Sequence, residues 1–144
     1  MDFAHILALL LFVVHILAFV AGGANSVVMP IIGSRMATAS PETRQTLIGV
    51  AGALANTGKF AMATLLVTGV LVLWLKWNWV IPNYWFWAKM GFIVLMIVFI
   101  SLNEATTKRA QPGDPEAARR SKMFGQLTGL SFLGVVLSAV FAFN

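Results

Sequence analysis

Four long apolar runs decide what this chain can fold into. A helix needs about 20 apolar residues to cross the roughly 30 Å hydrocarbon core of a bilayer at 1.5 Å per residue. The runs cover residues 3–36, 41–76, 84–108 and 115–143. Lipid offers backbone N–H and C=O groups no partner, so such runs must close their own hydrogen bonds as helices. The expected fold is all-α and integral to the membrane, an antiparallel four-transmembrane-helix bundle forming one domain over residues 1–144. With 59% hydrophobic and 10% charged residues, the chain has too little charge to coat a soluble domain of this size.

The chain has no cysteine, which excludes disulfides, thiolate metal sites and C-x-x-C-H haem attachment. The formal net charge is +5, and the basic residues cluster beside the apolar runs. That distribution predicts contact with anionic lipid headgroups at Arg109, Arg119, Arg120 and Lys122, and no nucleic-acid partner. Asp2 is the only early charged side chain, and the first run is longer than a signal-peptide core, so it reads as a mature helix.

Local chemistry marks the boundaries. Gly22, Gly23 and Pro30 predict a kink or an early end in the first helix. Ser40-Pro41-Glu42 gives the second helix a cap, a first-turn proline and an acid at its positive end. Asp114-Pro115-Glu116 repeats the pattern before the fourth, and Trp77–Asn83 makes a short connection between the second and third. Arg35, Arg44, Lys108, Arg109, Arg119, Arg120 and Lys122 flank one pair of helix ends, against Lys76 and Lys89 at the other. Positive-inside bias then predicts a multi-pass protein of a bacterial inner membrane, with cytoplasmic 1–2 and 3–4 loops and periplasmic termini. Trp74, Trp77, Trp79, Tyr84, Trp85 and Trp87 gather at the outer boundary as an interfacial belt.

Ionisable groups at membrane depth demand a partner or a role. His15 lies about 12 residues into the first helix, roughly 18 Å, near mid-bilayer. It shares a face with Ala18, Gly22, Asn25 and Met29. On the second helix Gly49, Gly52, Asn56, Lys59 and Ala63 follow the same three-and-four spacing and form a second candidate inward stripe. Asn56, Lys59, Glu104 and Gln126 fall at a similar inner depth and are expected to form a buried polar layer, with Lys59 and Glu104 as its opposed charges. A mid-membrane histidine can hydrogen-bond a neighbouring helix, relay protons or ligate haem iron. The only other histidine is His5, on the same helix and about 15 Å away along its axis. Two histidines so placed cannot bind one iron, so haem would need an open or non-histidine sixth site, or a second copy of the chain. Lys89, just below the aromatic belt, either snorkels to the headgroups or neutralises a carboxylate.

Three stretches resemble the family of HemJ-type protoporphyrinogen oxidases and the related CopD-like four-helix membrane proteins. They are Val13–Gly23 with Met29-Pro30 downstream, Trp85-Phe86-Trp87-Ala88-Lys89-Met90-Gly91, and the small-residue second helix ending in Thr68-Gly69-Val70-Leu71. The resemblance covers about two-thirds of the chain and implies oxidation of a porphyrinogen in the membrane. It also implies a bound haem b with His15 as its iron ligand and a catalytic Lys89; the small-residue face of the first helix, with Gly22 and Asn25, would leave room for the flat ring beside it. The chain departs from the pattern at Ile31, where the family has an arginine, at Asn103, near the place of a family histidine, and at Lys122–Gly125, where an asparagine–glutamate pair is absent. The alternative reading is an accessory subunit without catalysis, packed in a homo-oligomer or a larger membrane complex.

Overall fold

The computed structural model describes residues 2–80, 83–109 and 115–143. Among them every regular element is helical: α1 (Phe3–Thr38), α2 (Pro41–Trp77), α3 (Tyr84–Arg109) and α4 (Pro115–Phe143). Each contains a stretch long and apolar enough to cross a membrane, in agreement with the all-α, four-helix reading. The chain divides into two units, Met1–Ile81 and Pro82–Asn144, each an antiparallel helical hairpin.

In the first hairpin α1 and α2 are 36 and 37 residues long. That is about 54 Å each, more than a hydrocarbon core requires. Pro30 lies inside α1, and the helix continues eight residues past it. The early end expected at Gly22, Gly23 and Pro30 therefore does not occur; one missing N–H costs a single rung, and neighbouring turns hold the rest. Ala39 and Ser40 alone join the helices. Ser40 Oγ accepts from Thr43 N–H at 3.4 Å, with Pro41 and Glu42 in the first turn, as the local chemistry predicts. Arg44 Nε donates back to Met36 O at 3.3 Å, a carbonyl at the end of α1 that also accepts from Ala39 N–H at 3.4 Å. At its other end α2 stops on Asn78 and Trp79, with φ of 44° and 63°. This left-handed turn lets Trp79 N–H reach Leu73 O at 3.3 Å.

The α1–α2 seam alternates spacings of three and four, as an antiparallel coiled-coil contact does. On α1 it contains Leu11, His15, Ala18, Gly22, Asn25 and Ile32, all buried or half-buried. On α2 it contains Ala51, Leu54, Gly58, Ala61, Leu65, Thr68 and Val72, again all buried or half-buried. Facing residue numbers add to 83, at His15–Thr68, Gly22–Ala61 and Asn25–Gly58. The middle of the seam is small, so the two backbones approach closely.

The second hairpin is shorter, with helices of 26 and 29 residues. Asn83 Oδ1 accepts from Trp85 N–H at 3.1 Å, while its Nδ2 donates to Phe141 O and Ala142 O at 3.4 and 3.3 Å. One side chain thus caps the start of α3 and the last carbonyls of α4. Trp85 stacks on Phe141 with ring centroids 5.0 Å apart. Phe86 and Met96 on α3, and Ser131, Val135, Ser138 and Ala142 on α4, are buried.

Candidate functional site

The histidine near mid-bilayer has a defined partner. His15 Nδ1 lies 2.8 Å from Thr68 Oγ1 across the first hairpin. Thr68 Oγ1 in turn lies 2.6 Å from Thr64 O and 3.4 Å from Leu65 O. A carbonyl has no proton to give, so the threonine's single hydroxyl proton points at the α2 backbone. The hydroxyl can then only accept from the imidazole. His15 accordingly has a proton on Nδ1. Thr68 is 5% exposed, which keeps water from competing for this chain. At position 69 a Cβ would stand 3.5 Å from His15 Cε1, so Gly69 lets the ring lie close against α2.

His15 is the residue that could hold a haem iron. A ligating histidine characteristically donates its other N–H to a fixed acceptor, which sets tautomer and ring orientation. The His15–Thr68–Thr64 chain supplies that arrangement. On the flank of α2, Ala63, Thr64, Val67 and Thr68 line a shallow, open and largely apolar groove of about 270 Å³. No group of three or more His, Cys, Asp or Glu side chains able to hold a bare metal ion occurs among the described residues.

Two other expected cofactor neighbours serve helix packing instead. Asn25 Nδ2 donates to Leu54 O at 2.6 Å, and Gly22 faces Ala61. They lie seven and ten residues past His15, about 10 and 15 Å along α1. Met29, expected on the same inward face, is exposed.

The buried polar layer expected from Asn56, Lys59, Glu104 and Gln126 draws its residues from both hairpins. Asn56, Lys59 and Gln126 are exposed, and Glu104 is half-buried. The reason for the exposure on α2 is angular. Asn56 is two residues from Gly58, about 200° around the helix, so the stripe Gly49, Gly52, Asn56, Lys59, Ala63 points away from α1.

Lys89 is half-buried on α3, on the side that also carries Phe86 and Met96. Arg119, Arg120 and Lys122 are exposed at the start of α4, and Arg120 is paired with Glu116 at 2.6 Å. The side chain of Arg109 and the cap position Asp114 lie outside the described residues.

Sequence reasoning missed Thr68 as the partner of His15, and the buried hydroxyls of Ser131 and Ser138 on α4. The signal for Thr68 was present: it continues the Leu54, Gly58, Ala61, Leu65 spacing on α2. No protein-family model, curated protein or solved structure matches the chain.

Proposed function

We propose that the chain is a membrane haem- or porphyrin-binding protein of the HemJ/CopD-like kind, with His15 Nε2 as the iron ligand. The observation that carries this reading is the His15–Thr68–Thr64 chain, which puts a proton on Nδ1 and fixes the ring. Ligating histidines are held by an outer acceptor in this way. A bound haem b would supply one-electron redox chemistry, fitting porphyrinogen oxidation or electron exchange with quinones. Lys89 would, by resemblance, be the catalytic residue. The protein would sit in a bacterial inner membrane with its termini outside and its basic helix ends, Arg119, Arg120 and Lys122 among them, on anionic headgroups. The test is absorbance of protein purified from haem-replete cells. A Soret band is expected, absent from His15→Ala and unchanged in His5→Ala. A colourless wild type would reject the cofactor.

One observation favours a second reading, an accessory subunit of a homo-oligomer or larger complex. The outward stripe of α2 combines small residues with Asn56 and Lys59. Such a face suits another helix better than lipid. A colourless protein that co-purifies stoichiometrically with a membrane partner would support it.

A further inference from the structure

Resting on the headgroup reading above, we propose that Arg35 and Arg44, at the turn of the first hairpin, form a clasp for the phosphate of an anionic lipid. Ala39 and Ser40 alone connect α1 to α2, so the last turn of α1 and the first turns of α2 are neighbours. Arg44 Nε donates to Met36 O at 3.3 Å. That bond brings the Arg44 guanidinium to the turn of α1 from which Arg35 projects. Both arginines are exposed. The bond to Met36 occupies Nε, and the outer edge of the planar guanidinium keeps its two Nη nitrogens. A guanidinium grips a phosphate through two parallel hydrogen bonds of that kind. Glu42, the carboxylate nearest in sequence, is two residues from Arg44 and so about 200° around α2, on the opposite side of the helix.

The level of the turn in the membrane suits a headgroup. Trp77, in the aromatic belt, and Arg44 are 33 residues apart on α2. That is about 50 Å of helix, against roughly 40–45 Å for a bilayer with its headgroups. A tilt of about 25–35°, inside the ordinary range, brings Arg44 into the opposite headgroup layer. Ser34 and Thr38 on α1, with Thr43, Gln45 and Thr46 on α2, make the turn polar and exposed, as that layer requires. The phosphates met at that level are those of the lipid. Each arginine close to an anionic surface strengthens binding to it about fivefold.

The experiment is native mass spectrometry of the full-length protein in detergent micelles, mixed with phosphatidylglycerol or, separately, with phosphatidylcholine of the same acyl chains. The wild type is expected to retain phosphatidylglycerol in preference. Arg35→Gln and Arg44→Gln should each weaken phosphatidylglycerol binding about fivefold and leave phosphatidylcholine unchanged. Met36 O also accepts from Ala39 N–H at 3.4 Å, so the end of α1 keeps a partner when Arg44 is changed. Arg44→Lys keeps the charge but not the fork, and should bind phosphatidylglycerol less well than wild type. Lys76→Gln, at the other end of α2, should bind as wild type does. Wild-type binding by Arg44→Lys, or an equal loss in Lys76→Gln, would overturn the clasp, because charge alone would then suffice. Full preference in both glutamine variants would also overturn it, while leaving the headgroup reading to Arg119, Arg120 and Lys122. Displacement of the lipid by an excess of inorganic phosphate would overturn the choice of a lipid. A wild type that retains both lipids equally would reject the headgroup reading, and the clasp with it.

Discussion

Thr68 decides which nitrogen of His15 carries the proton, and that decision can be tested by changes of a few atoms. Thr68→Val keeps the volume of a residue that is 5% exposed but removes the acceptor. The Nδ1–H is then unsatisfied, at a cost of about 1–3 kcal/mol, or the proton moves to Nε2, where the lone pair for iron belongs. Loss of such an outer partner typically weakens metal binding about 10–100-fold. Thr68→Val is therefore expected to lower haem affinity in that range in a titration of the detergent-solubilised protein, while Thr68→Ser retains it. Thr64→Val is the control. The acceptor there is the main-chain carbonyl, and the Thr64 hydroxyl is directed to Phe60 O at 2.9 Å, so affinity should not change. Equal losses in Thr68→Val and Thr68→Ser would mean that shape, not the hydroxyl, matters.

At the scale of the helices, two glycines with different surroundings give opposite expectations. A Cβ at Gly58 would stand 2.6 Å from Asn25 Nδ2. Gly58→Ala must therefore displace the amide that donates to Leu54 O, and interhelical bonds of this kind in membranes are worth about 0.6 kcal/mol and up to about 1.7. The loss should shrink when Asn25→Ala is already present, since the clash has gone; additive losses would show that the two do not touch. In the second hairpin a Cβ at Gly134 would meet Phe92 Cδ1, Cε1 and Cγ at 2.6–2.8 Å, whereas nothing lies within 4 Å at Gly129. Gly134→Ala should lower the thermal midpoint of the detergent-solubilised protein. Gly129→Ala should leave it unchanged or raise it slightly, because alanine stabilises a helix interior by roughly 0.5–1 kcal/mol over glycine.

The same scale shows what periodicity can and cannot reveal. The stripe His15, Ala18, Gly22, Asn25 on α1 was legible from its spacing and does face α2. On α2 two stripes follow the same rule, Gly49–Gly52–Asn56–Lys59–Ala63 and Leu54–Gly58–Ala61–Leu65–Thr68, and only the second meets α1. Spacing along one helix identifies faces but not which neighbour each face meets. That choice is made by cross-helix contacts such as Asn25 on Leu54 O. The helix count and the Ser40-Pro41-Glu42 start were legible because they depend on residues close in the sequence.

For the molecule as a whole the strongest expectation is its direction across the membrane. Arg35 and Arg44 flank the α1–α2 connection, while the far end of α2 holds Lys76 and a cluster of tryptophans. Lys76 Nζ stands 5.1 Å from the centroid of the Phe12 ring, a cation–π contact that lets one lysine stay at an aromatic interface without marking a cytoplasmic side. The bias of positive charge then predicts a cytoplasmic Ala39–Ser40 connection. The chain has no native cysteine, so single cysteines report position without background. Gln45 and Val80 are both exposed, and α2 runs 32 residues from Gln45 to its end at Trp77, just before Val80. At 1.5 Å per residue that is about 48 Å, more than the roughly 40–45 Å of a bilayer with its headgroups. A membrane-impermeant thiol reagent on intact cells should label Val80→Cys and spare Gln45→Cys, and permeabilisation should make both react. The reverse pattern would invert the protein and place the mouth of the first hairpin, with His5, in the cytoplasm. Labelling of both positions in intact cells would mean that α2 does not cross the bilayer, and the His15–Thr68 contact would then lose its water-excluded setting.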